Sequence, residues 1–230
     1  MHYMTWINPL TLNFPDPEFA HAKDVVALGG DVSPNTLIAA YKRGIFPWYN
    51  EGDPILWWSP DPRMVLFPND LKIAKSMRPL FNQQKFKVTY NTVFRQVMQN
   101  CQLSDRKEQD GTWINNDMID AYSILNQRGY AHSVEVWDGE NLVGGLYGVA
   151  IGKVFFGESM FTKASNASKY GFISLVHELK KRNFQLIDCQ QETEHLTSLG
   201  GKMISRKEFM RYIKTNSAEL LLLDNGMGLK

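Results

Sequence analysis

This sequence has few cysteines, no long apolar run and almost no excess of one charge. It has 2 cysteines in 230 residues, which is too few for a disulfide framework or a zinc knuckle, so a reducing compartment fits best. No segment has the apolar length of a membrane span, and the start lacks the basic-then-apolar order of a secretory signal. The formal net charge is +1, which excludes a globally basic nucleic-acid binder but not a local basic face. These absences predict a soluble, cytoplasmic protein.

Several cofactor-binding motifs are also missing. There is no G-x-x-x-x-G-K-[ST] loop and no dinucleotide fingerprint, and no histidine pair has metal-ligand spacing. The segment FTKASNASKYG precedes a predicted helix but has no glycine cluster to hold the pyrophosphate of coenzyme A. We therefore expect neither a metal nor a bound cofactor.

Residues 1–63 are rich in proline and tryptophan, as in NFPDPEF and FPWYNEGDPILWWSPDPR. Prolines at this density exclude long regular elements. One helix is predicted inside the region, with Ser33 as its cap, Pro34 at its first position and Gly44 after its end. We predict a small irregular N-terminal domain held together by aromatic packing.

Residues 64–230 have the pattern of a larger mixed α/β domain. Apolar periodicity predicts helices over NTVFRQVMQNC and NNDMIDAYSILNQRG, and the Asp138-Gly139 turn predicts antiparallel strands on either side of it. A helix over 167–182, the strand FQLIDC and a last helix in SRKEFMRYI complete the order. The order matches an acyltransferase-like (GNAT-type) domain, in which helices flank a mixed central sheet.

The strand in FQLIDC ends in an acid, a thiol and an amide. Because side chains alternate along a strand, Asp188 and Gln190 are predicted to face a cleft together while Cys189 points into the core. An amide beside a carboxylate fixes the orientation of that carboxylate. Two alternatives stay open: Asp188 caps a helix that begins near Thr193, or Cys189 is a nucleophile with His195 as its base.

Three further features are candidates for substrate binding. Glu158, in FFGESMF, is either a pocket wall that attracts a cation or half of a salt bridge with Lys163 or Lys169. Trp48 and Trp113 follow turns and are better pocket candidates than Trp57 and Trp58, which fit a core. The segment LKIAKSMRPLFNQQKFK carries five cations and no acid, a natural partner for a phosphate backbone. These cations are Lys72, Lys75, Arg78, Lys85 and Lys87.

Long stretches of the chain resemble the leucyl/phenylalanyl-tRNA–protein transferase family. The resemblance lies in ALGGDVSPNTLIAAYKRGIFPWYNEGDPILWWSPDPRMVLFP, GTWI, AHSVEVW, LVGGLYGVAIGKVFFGESMF, NASKYG and LIDCQQETEHLTSLGG. It covers nearly the whole chain. It implies an acyltransferase-like fold and transfer of leucine or phenylalanine from aminoacyl-tRNA to proteins with N-terminal arginine or lysine, which marks them for degradation.

The resemblance also assigns roles to residues. The family motif DCQ places the catalytic carboxylate and amide at Asp188 and Gln190. The family's pocket residues fall on Trp48, Trp113, Leu146 and Glu158, with leucine at 146 where some relatives have methionine. We add His195 to the substrate-binding residues because it follows the motif closely.

The expected reaction is aminolysis of an ester by the acceptor's α-amine. The acyl group is already activated on the tRNA, so neither ATP nor metal is needed, and Asp188 is expected to take the proton of the amine. Three rival hypotheses remain: a tRNA-binding protein without activity, a cysteine-dependent hydrolase and a coenzyme A-dependent acetyltransferase.

Overall fold

A computed structural model describes residues 5–19, 24–104 and 113–216. Within these residues the α-helices are α1 Pro34–Tyr41, α2 Arg78–Asn82, α3 Phe94–Gln102, α4 Asn116–Gln127, α5 Ala167–Lys181, α6 Glu194–Ser198 and α7 Arg206–Asn216. The strands are β1 Thr5–Trp6, β2 Val25–Leu28, β3 Phe46–Pro47, β4 Leu56–Trp58, β5 Arg63–Leu66, β6 Lys87–Tyr90, β7 Ala131–Asp138, β8 Asn141–Ile151, β9 Val154–Thr162, β10 Leu186–Gln190 and β11 Lys202–Ile204. The tail beyond residue 216 lies outside the described residues, as do Gly111 and Thr112 of the GTWI motif.

The predicted helix boundaries follow from local capping. In α1 the Ser33 side chain accepts a hydrogen bond from the Thr36 amide, Pro34 is the first helical residue, and Gly44 has φ +67° beyond the end. In α7 the Ser205 hydroxyl accepts a hydrogen bond from the Glu208 amide at 3.2 Å, so Ser205 caps the helix predicted in SRKEFMRYI. These helices are confirmed.

Two sheets carry the strands. The smaller has the order β1-β2-β4-β3 and lies within the proline-rich region. Trp57 is fully buried beneath it and its indole N–H donates to the Gly29 carbonyl at 2.8 Å, which confirms the prediction of a core role. Trp58 packs against the same core while partly exposed.

The larger sheet has the order β11-β5-β10-β9-β8-β7-β6. The predicted hairpin between β7 and β8 is present, and among the described strands of this sheet β9 and β10 form the one parallel pair. Helix α5 connects β9 to β10, as a parallel pair requires. The mixed α/β class is confirmed.

The two sheets share a hydrophobic core. One cluster of buried residues includes Ile7, Trp57 and Phe46 from the first 63 residues and Tyr147 and Phe209 from the rest. Arg63 already belongs to the larger sheet as the first residue of β5. The division at residue 63 stays a prediction, because the packing is continuous across it.

None of the described helices combines the length and the apolar character needed to cross a membrane.

Candidate active site

The cleft lies where β9 and β10 separate. Their parallel pairing runs from Leu186 opposite Val154 to Asp188 opposite Phe156, and beyond that point the two strands diverge. Glu158 on β9 and Gln190 on β10 lie past the last pair, and the Gln190 side-chain amide Nε2 donates to Glu158 Oε1 at 3.1 Å. This hydrogen bond crosses the gap between the strands.

Two β-bulges meet at this gap. Across β8 and β9, Tyr147 pairs with Ser159 and Gly148 with Gly157, so Glu158 is an extra residue that faces no residue of β8. A bulge re-aims the side chains around it and often occurs beside active sites. The extra residue turns the Glu158 side chain toward the opening between the strands.

The second bulge overturns the predicted orientation of the DCQ motif. Asp188 pairs with Val65 and Gln190 with Met64, which makes Cys189 the extra residue, and Gln190 has φ +63°. Regular alternation ends at a bulge, so residues two apart no longer share a face. The prediction that Asp188 and Gln190 face the cleft together is wrong.

Asp188 lies in the interior. It is 0% exposed, and its Oδ1 and Oδ2 accept from Arg63 Nε and Nη2 at 2.8 and 2.6 Å. Oδ1 also accepts the backbone N–H of Gln190 at 2.9 Å. Both oxygens are therefore engaged away from the cleft, which contradicts the expectation that Asp188 takes the substrate's proton. The capping alternative is also wrong, because Thr193 itself caps α6.

Cys189 lines the cleft rather than the core, so its predicted orientation is wrong as well. The thiol borders both cavities described below. Burial, followed by the nearby Asp188 charge, raises the pKa of Cys189, which keeps the thiol protonated and a poor nucleophile. His195 is half-buried on α6 and, among the described residues, is absent from the walls of both cavities. The structure therefore gives no support to a Cys189–His195 pair or to a substrate-binding His195.

Glu158 is an acid of the cleft whose pKa is shifted from its ordinary value. Its surroundings raise the pKa of Glu158 to about 8, with burial as the main cause, while hydrogen bonds from Tyr41 and Gln190 act in the opposite direction. Among the described residues no ion pair joins Glu158 to Lys163 or Lys169. Of the two predictions for this residue, the pocket wall is the one with structural support.

One cavity of about 270 Å³ lies between residues 46–48 and the hydrogen-bonded pair Glu158 and Gln190. Trp48 and Trp113 form part of its wall, as expected for these two loop tryptophans. The Trp48 carbonyl accepts the indole N–H of Trp58 at 2.7 Å, which anchors its loop on β4. The remaining wall residues are Phe46, Pro47, Glu158, Cys189, Gln190, Gln191, Thr193 and Leu196.

A second cavity of about 270 Å³ adjoins the first and shares Glu158, Cys189, Gln190 and Leu196 with it. Its wall is largely apolar and includes Leu146, which is 2% exposed. Its other residues are Tyr147, Phe155, Gly157, Ser159, Met160, Phe172 and Leu175. The two cavities thus meet at one hydrogen-bonded carboxyl–amide pair.

The five cations of the basic segment are exposed. One of them is neutralised locally, because Lys85 Nζ pairs with Asp138 Oδ2 at 2.9 Å. Lys72 is tied to the loop after α6, since its backbone N–H donates to the Leu199 carbonyl at 2.8 Å. Sequence reasoning included Lys85 as an equal member of the patch and missed its partner, which lies in a distant turn.

Sequence reasoning also missed Arg63, Tyr41 and Tyr122. Arg63 is fully buried, pairs with Asp188, and stacks between the rings of Phe46 and Phe209 at 4.8 and 4.7 Å. A cation directly before an apolar strand was the available signal for it. The two tyrosines lie among the apolar positions of predicted helices, and the apolar periodicity does not show that a hydroxyl at such a position has a hydrogen-bond partner.

None of the described residues forms a group of three or more histidine, cysteine, aspartate or glutamate side chains placed to hold a metal ion.

Comparison with known proteins places this chain in a family of transferases. The family described as leucyl/phenylalanyl-tRNA protein transferase matches residues 65–214, and the description of its N-terminal domain matches residues 30–61. The chain belongs to the leucyl/phenylalanyl-tRNA protein transferase family.

Relatives of that name are similar over most of their length. The chain is 57% identical to the leucyl/phenylalanyl-tRNA–protein transferase of Flavobacterium johnsoniae, over 89% of this chain and 96% of the relative. It is 56% identical to that of Christiangramia forsetii, over 91% of this chain and all of the relative. Among solved structures, a GCN5-related N-acetyltransferase from Kribbella flavida has 9% identity and a TM-score of 0.33, over 74% of this chain and 60% of that one.

Proposed function

We propose that this protein transfers leucine or phenylalanine from aminoacyl-tRNA to the N-terminal arginine or lysine of acceptor proteins, which marks them for degradation. Family membership supports aminoacyl transfer to protein. The observation that carries the proposal is the junction of two cavities at the Glu158–Gln190 hydrogen bond. The two ends of an aminoacyl-adenosine can occupy the two cavities, with the ester that joins them at this junction.

The second cavity suits the leucyl or phenylalanyl side chain. Leu146, Met160, Phe172 and Leu175 offer it apolar contacts and few hydrogen-bond partners. An apolar pocket discriminates weakly, by roughly 1–3 kcal/mol per methylene. A site of this kind accepts two apolar amino acids of different shape.

The first cavity suits the terminal adenosine of the tRNA. Trp48 and Trp113 border it, and a purine stacks on tryptophan with an energy of about 1–3 kcal/mol per base. With the adenosine between these tryptophans and the aminoacyl side chain in the second cavity, the ester that joins them lies beside Glu158 and Gln190.

Glu158 is the residue we assign as proton acceptor, in place of Asp188. The acceptor's α-amine has a reference pKa of about 7.7–8.0, close to the pKa of about 8 at Glu158. A general base is most effective when its pKa lies near the working pH. The amine forms the new C–N bond and gives its proton to Glu158, and that proton passes to the ribose oxygen as the C–O bond breaks.

Gln190 orients the Glu158 carboxyl, and Asp188 in turn holds the backbone of Gln190. An ionised Glu158 accepts hydrogen bonds only, so Gln190 must present its Nε2 to Glu158, which leaves the Gln190 Oε1 available to an incoming N–H. Asp188 fixes the Gln190 backbone through its Oδ1. In this mechanism Gln190 touches the substrate while Asp188 is a positioning residue.

The exposed cations of residues 72–87 are the proposed contact for the tRNA backbone. The chain is almost neutral overall, so a local group without acids offers phosphates a favoured position. Lys85 contributes least, because Asp138 neutralises it.

The experiment compares wild type with Glu158→Gln in transfer of labelled phenylalanine from tRNA to a peptide that begins with arginine. Below pH 7 two groups must lose a proton in wild type, the amine and Glu158, so the logarithm of kcat/KM should rise with a slope of about 2. In Glu158→Gln only the amine titrates, so the slope should fall to about 1 and the rate should drop.

A peptide with a blocked N-terminus is the control, and it should receive no label. Equal slopes in the two proteins would remove Glu158 as the base. Absence of transfer by wild type, with the charged tRNA intact and bound, would instead favour the alternative of a tRNA-binding protein without activity.

A further inference from the structure

A buried pair of tyrosine hydroxyls lies behind Glu158. Tyr41 on α1 and Tyr122 on α4 are both 0% exposed, and their hydroxyl oxygens are 2.5 Å apart. The Tyr41 hydroxyl hydrogen-bonds to Glu158, and Tyr122 also interacts with that carboxyl. Two helices that are distant in sequence therefore converge on one acid of the central sheet.

Aromatic packing fixes the positions of both rings. Tyr41 contacts Phe156, two residues before Glu158 on β9, edge to face at 5.1 Å. Tyr122 contacts Tyr147 edge to face at 5.7 Å, and Tyr147 lies on β8 in the wall of the second cavity. With both rings held, the hydroxyls cannot turn away from the carboxyl without disturbing the sheet.

The two hydroxyl hydrogens are enough for a chain of hydrogen bonds that runs from Tyr122 through Tyr41 to the Glu158 carboxylate. Burial raises the pKa of Tyr41 and of Tyr122, so both phenols keep their single hydrogen. When Tyr41 gives its one hydrogen to the Glu158 carboxylate, the hydrogen between the two hydroxyls must come from Tyr122. Gln190 Nε2 provides a further hydrogen bond to the same carboxyl.

We propose that Tyr41 and Tyr122 are positioning residues for Glu158, and that their linked hydroxyls hold its carboxylate in the orientation that receives the proton of the amine. This inference rests on the proposed function, in which Glu158 is the proton acceptor. It gives α1 a part in positioning the acid, since Tyr41 on that helix supplies a hydroxyl that hydrogen-bonds to Glu158.

The charges around Glu158 define what removal of one hydroxyl should do. Burial and the Asp188 charge on β10 raise the pKa of Glu158, whereas Arg63 on β5, Tyr41 and Gln190 lower it. Loss of the Tyr41 hydroxyl removes one stabilising hydrogen bond from the carboxylate and leaves the other groups in place. The Glu158 carboxyl should then hold its proton to a higher pH.

The experiment is a titration of the Glu158 carboxyl by NMR in protein labelled with ¹³C at the glutamate side-chain carboxyl. The Glu158 resonance is identified by its absence from Glu158→Gln. In Tyr41→Phe we expect the titration midpoint to rise by about one pH unit, and kcat at pH 7 to fall about tenfold, with KM for the charged tRNA within about twofold of wild type. Tyr122→Phe should move the midpoint in the same direction but less.

Tyr90→Phe is the matched control. It removes the hydroxyl of a half-buried tyrosine, which donates to the Ser174 carbonyl at 3.3 Å, and it should leave the Glu158 midpoint unchanged. The proposal is overturned if neither Tyr41→Phe nor Tyr122→Phe shifts the midpoint, or if Tyr90→Phe shifts it equally. It is also overturned if both variants lose the folded circular-dichroism spectrum, since the hydroxyls would then be structural.

The titration separates this inference from the proposed function. A wild-type protein that binds charged tRNA but makes no peptide bond would end the proposed function, whatever the midpoints. Unchanged midpoints in an active wild-type background would end only the assignment of the tyrosines.

Discussion

Asp188 and Arg63 form an ion pair that is closed to solvent. Both side chains are 0% exposed, and the two hydrogen bonds run side by side from Nε and Nη2 to the carboxylate. A bidentate pair of this kind has fixed geometry as well as charge. It joins β5 to β10 immediately below the cleft, so its first effect is to hold the strand end on which Gln190 lies.

Asp188→Asn should therefore reduce stability strongly. The substitution leaves the Arg63 charge buried without its counter-charge, and breaking a buried pair in this way costs about 3–5 kcal/mol. Urea unfolding followed by circular dichroism measures the loss. Asp138→Asn is the control, because the Lys85–Asp138 pair has side chains 47% and 45% exposed and should contribute less than about 1 kcal/mol. Equal stability losses in the two variants would contradict the assigned structural role of Asp188.

At the scale of elements, the bulge in β9 depends on its neighbour β8. A Cβ at Gly148 would lie 2.2 Å from the Phe156 carbonyl oxygen, so only glycine fits at that position. At Gly157, on the other side of the same ladder, an added Cβ would lie 3.5 Å from the Asp188 carbonyl oxygen, which is an ordinary contact. The close approach at Gly148 lets β8 and β9 pair on both sides of the extra residue Glu158.

Gly148→Ala should separate the strands at the bulge and displace Glu158. We expect a stability loss of about 1–3 kcal/mol from overpacking, together with a large loss of phenylalanyl transfer. Gly157→Ala should change stability little, and because Gly157 borders the second cavity it is a control for stability alone. Thermal unfolding and the transfer assay on the two variants test this, and normal activity of a folded Gly148→Ala would argue against dependence on the bulge.

The cations of residues 72–87 differ in whether an acidic side chain lies beside them. Neutralising Lys72, Lys75 and Arg78 together to glutamine should weaken binding of phenylalanyl-tRNA and flatten its dependence on salt, by up to about 0.7–0.9 in slope for each lost phosphate contact. Lys85→Gln should have a smaller effect, because Asp138 already neutralises Lys85. Filter binding at several KCl concentrations gives the slopes. A triple variant with the wild-type slope would remove this segment from the tRNA interface.

At the scale of the whole molecule, stability should depend on pH through Glu158. Its pKa is about 8 in the folded protein against an ordinary value of 4.5, so the folded state binds the proton more tightly. This contribution to stability is fully present below pH 4.5 and is lost as pH rises through 8. His132 acts in the opposite direction, since burial lowers its pKa to about 4, and its contribution is lost as pH falls from 6.5.

Above about pH 7.5 the histidines are neutral in the folded and in the unfolded state, so from there to about pH 8 the thermal midpoint should fall as pH rises. Below pH 6.5 the lowered pKa values of His132, His177 and His195 oppose the trend. Differential scanning calorimetry in buffers of equal ionic strength measures the midpoint. Glu158→Gln should be flat over the same interval, and an identical fall in that variant would assign the effect to another group.

The sequence by itself determined the regular parts of this protein. Capping residues, apolar periodicity and the Asp138-Gly139 turn are local signals, and they predicted α1, α3, α4, α5, α7 and the β7–β8 hairpin correctly. The motifs spread along the chain were enough to indicate the family. The family resemblance assigned Trp48, Trp113, Leu146 and Glu158 to a pocket. Both tryptophans border the first cavity, Leu146 borders the second, and Glu158 borders both.

Only the tertiary structure decided how the strand ends are used. Alternation along a strand holds while each residue has a partner across the ladder, and bulges at Glu158 and Cys189 break that condition. A bulge depends on how two strands pair, so the local sequence DCQ does not predict it. The partner of Asp188 is 125 positions away at Arg63, and folding alone brings that cation into the interior, where its charge draws the carboxylate inward and leaves the cleft to Glu158 and Gln190.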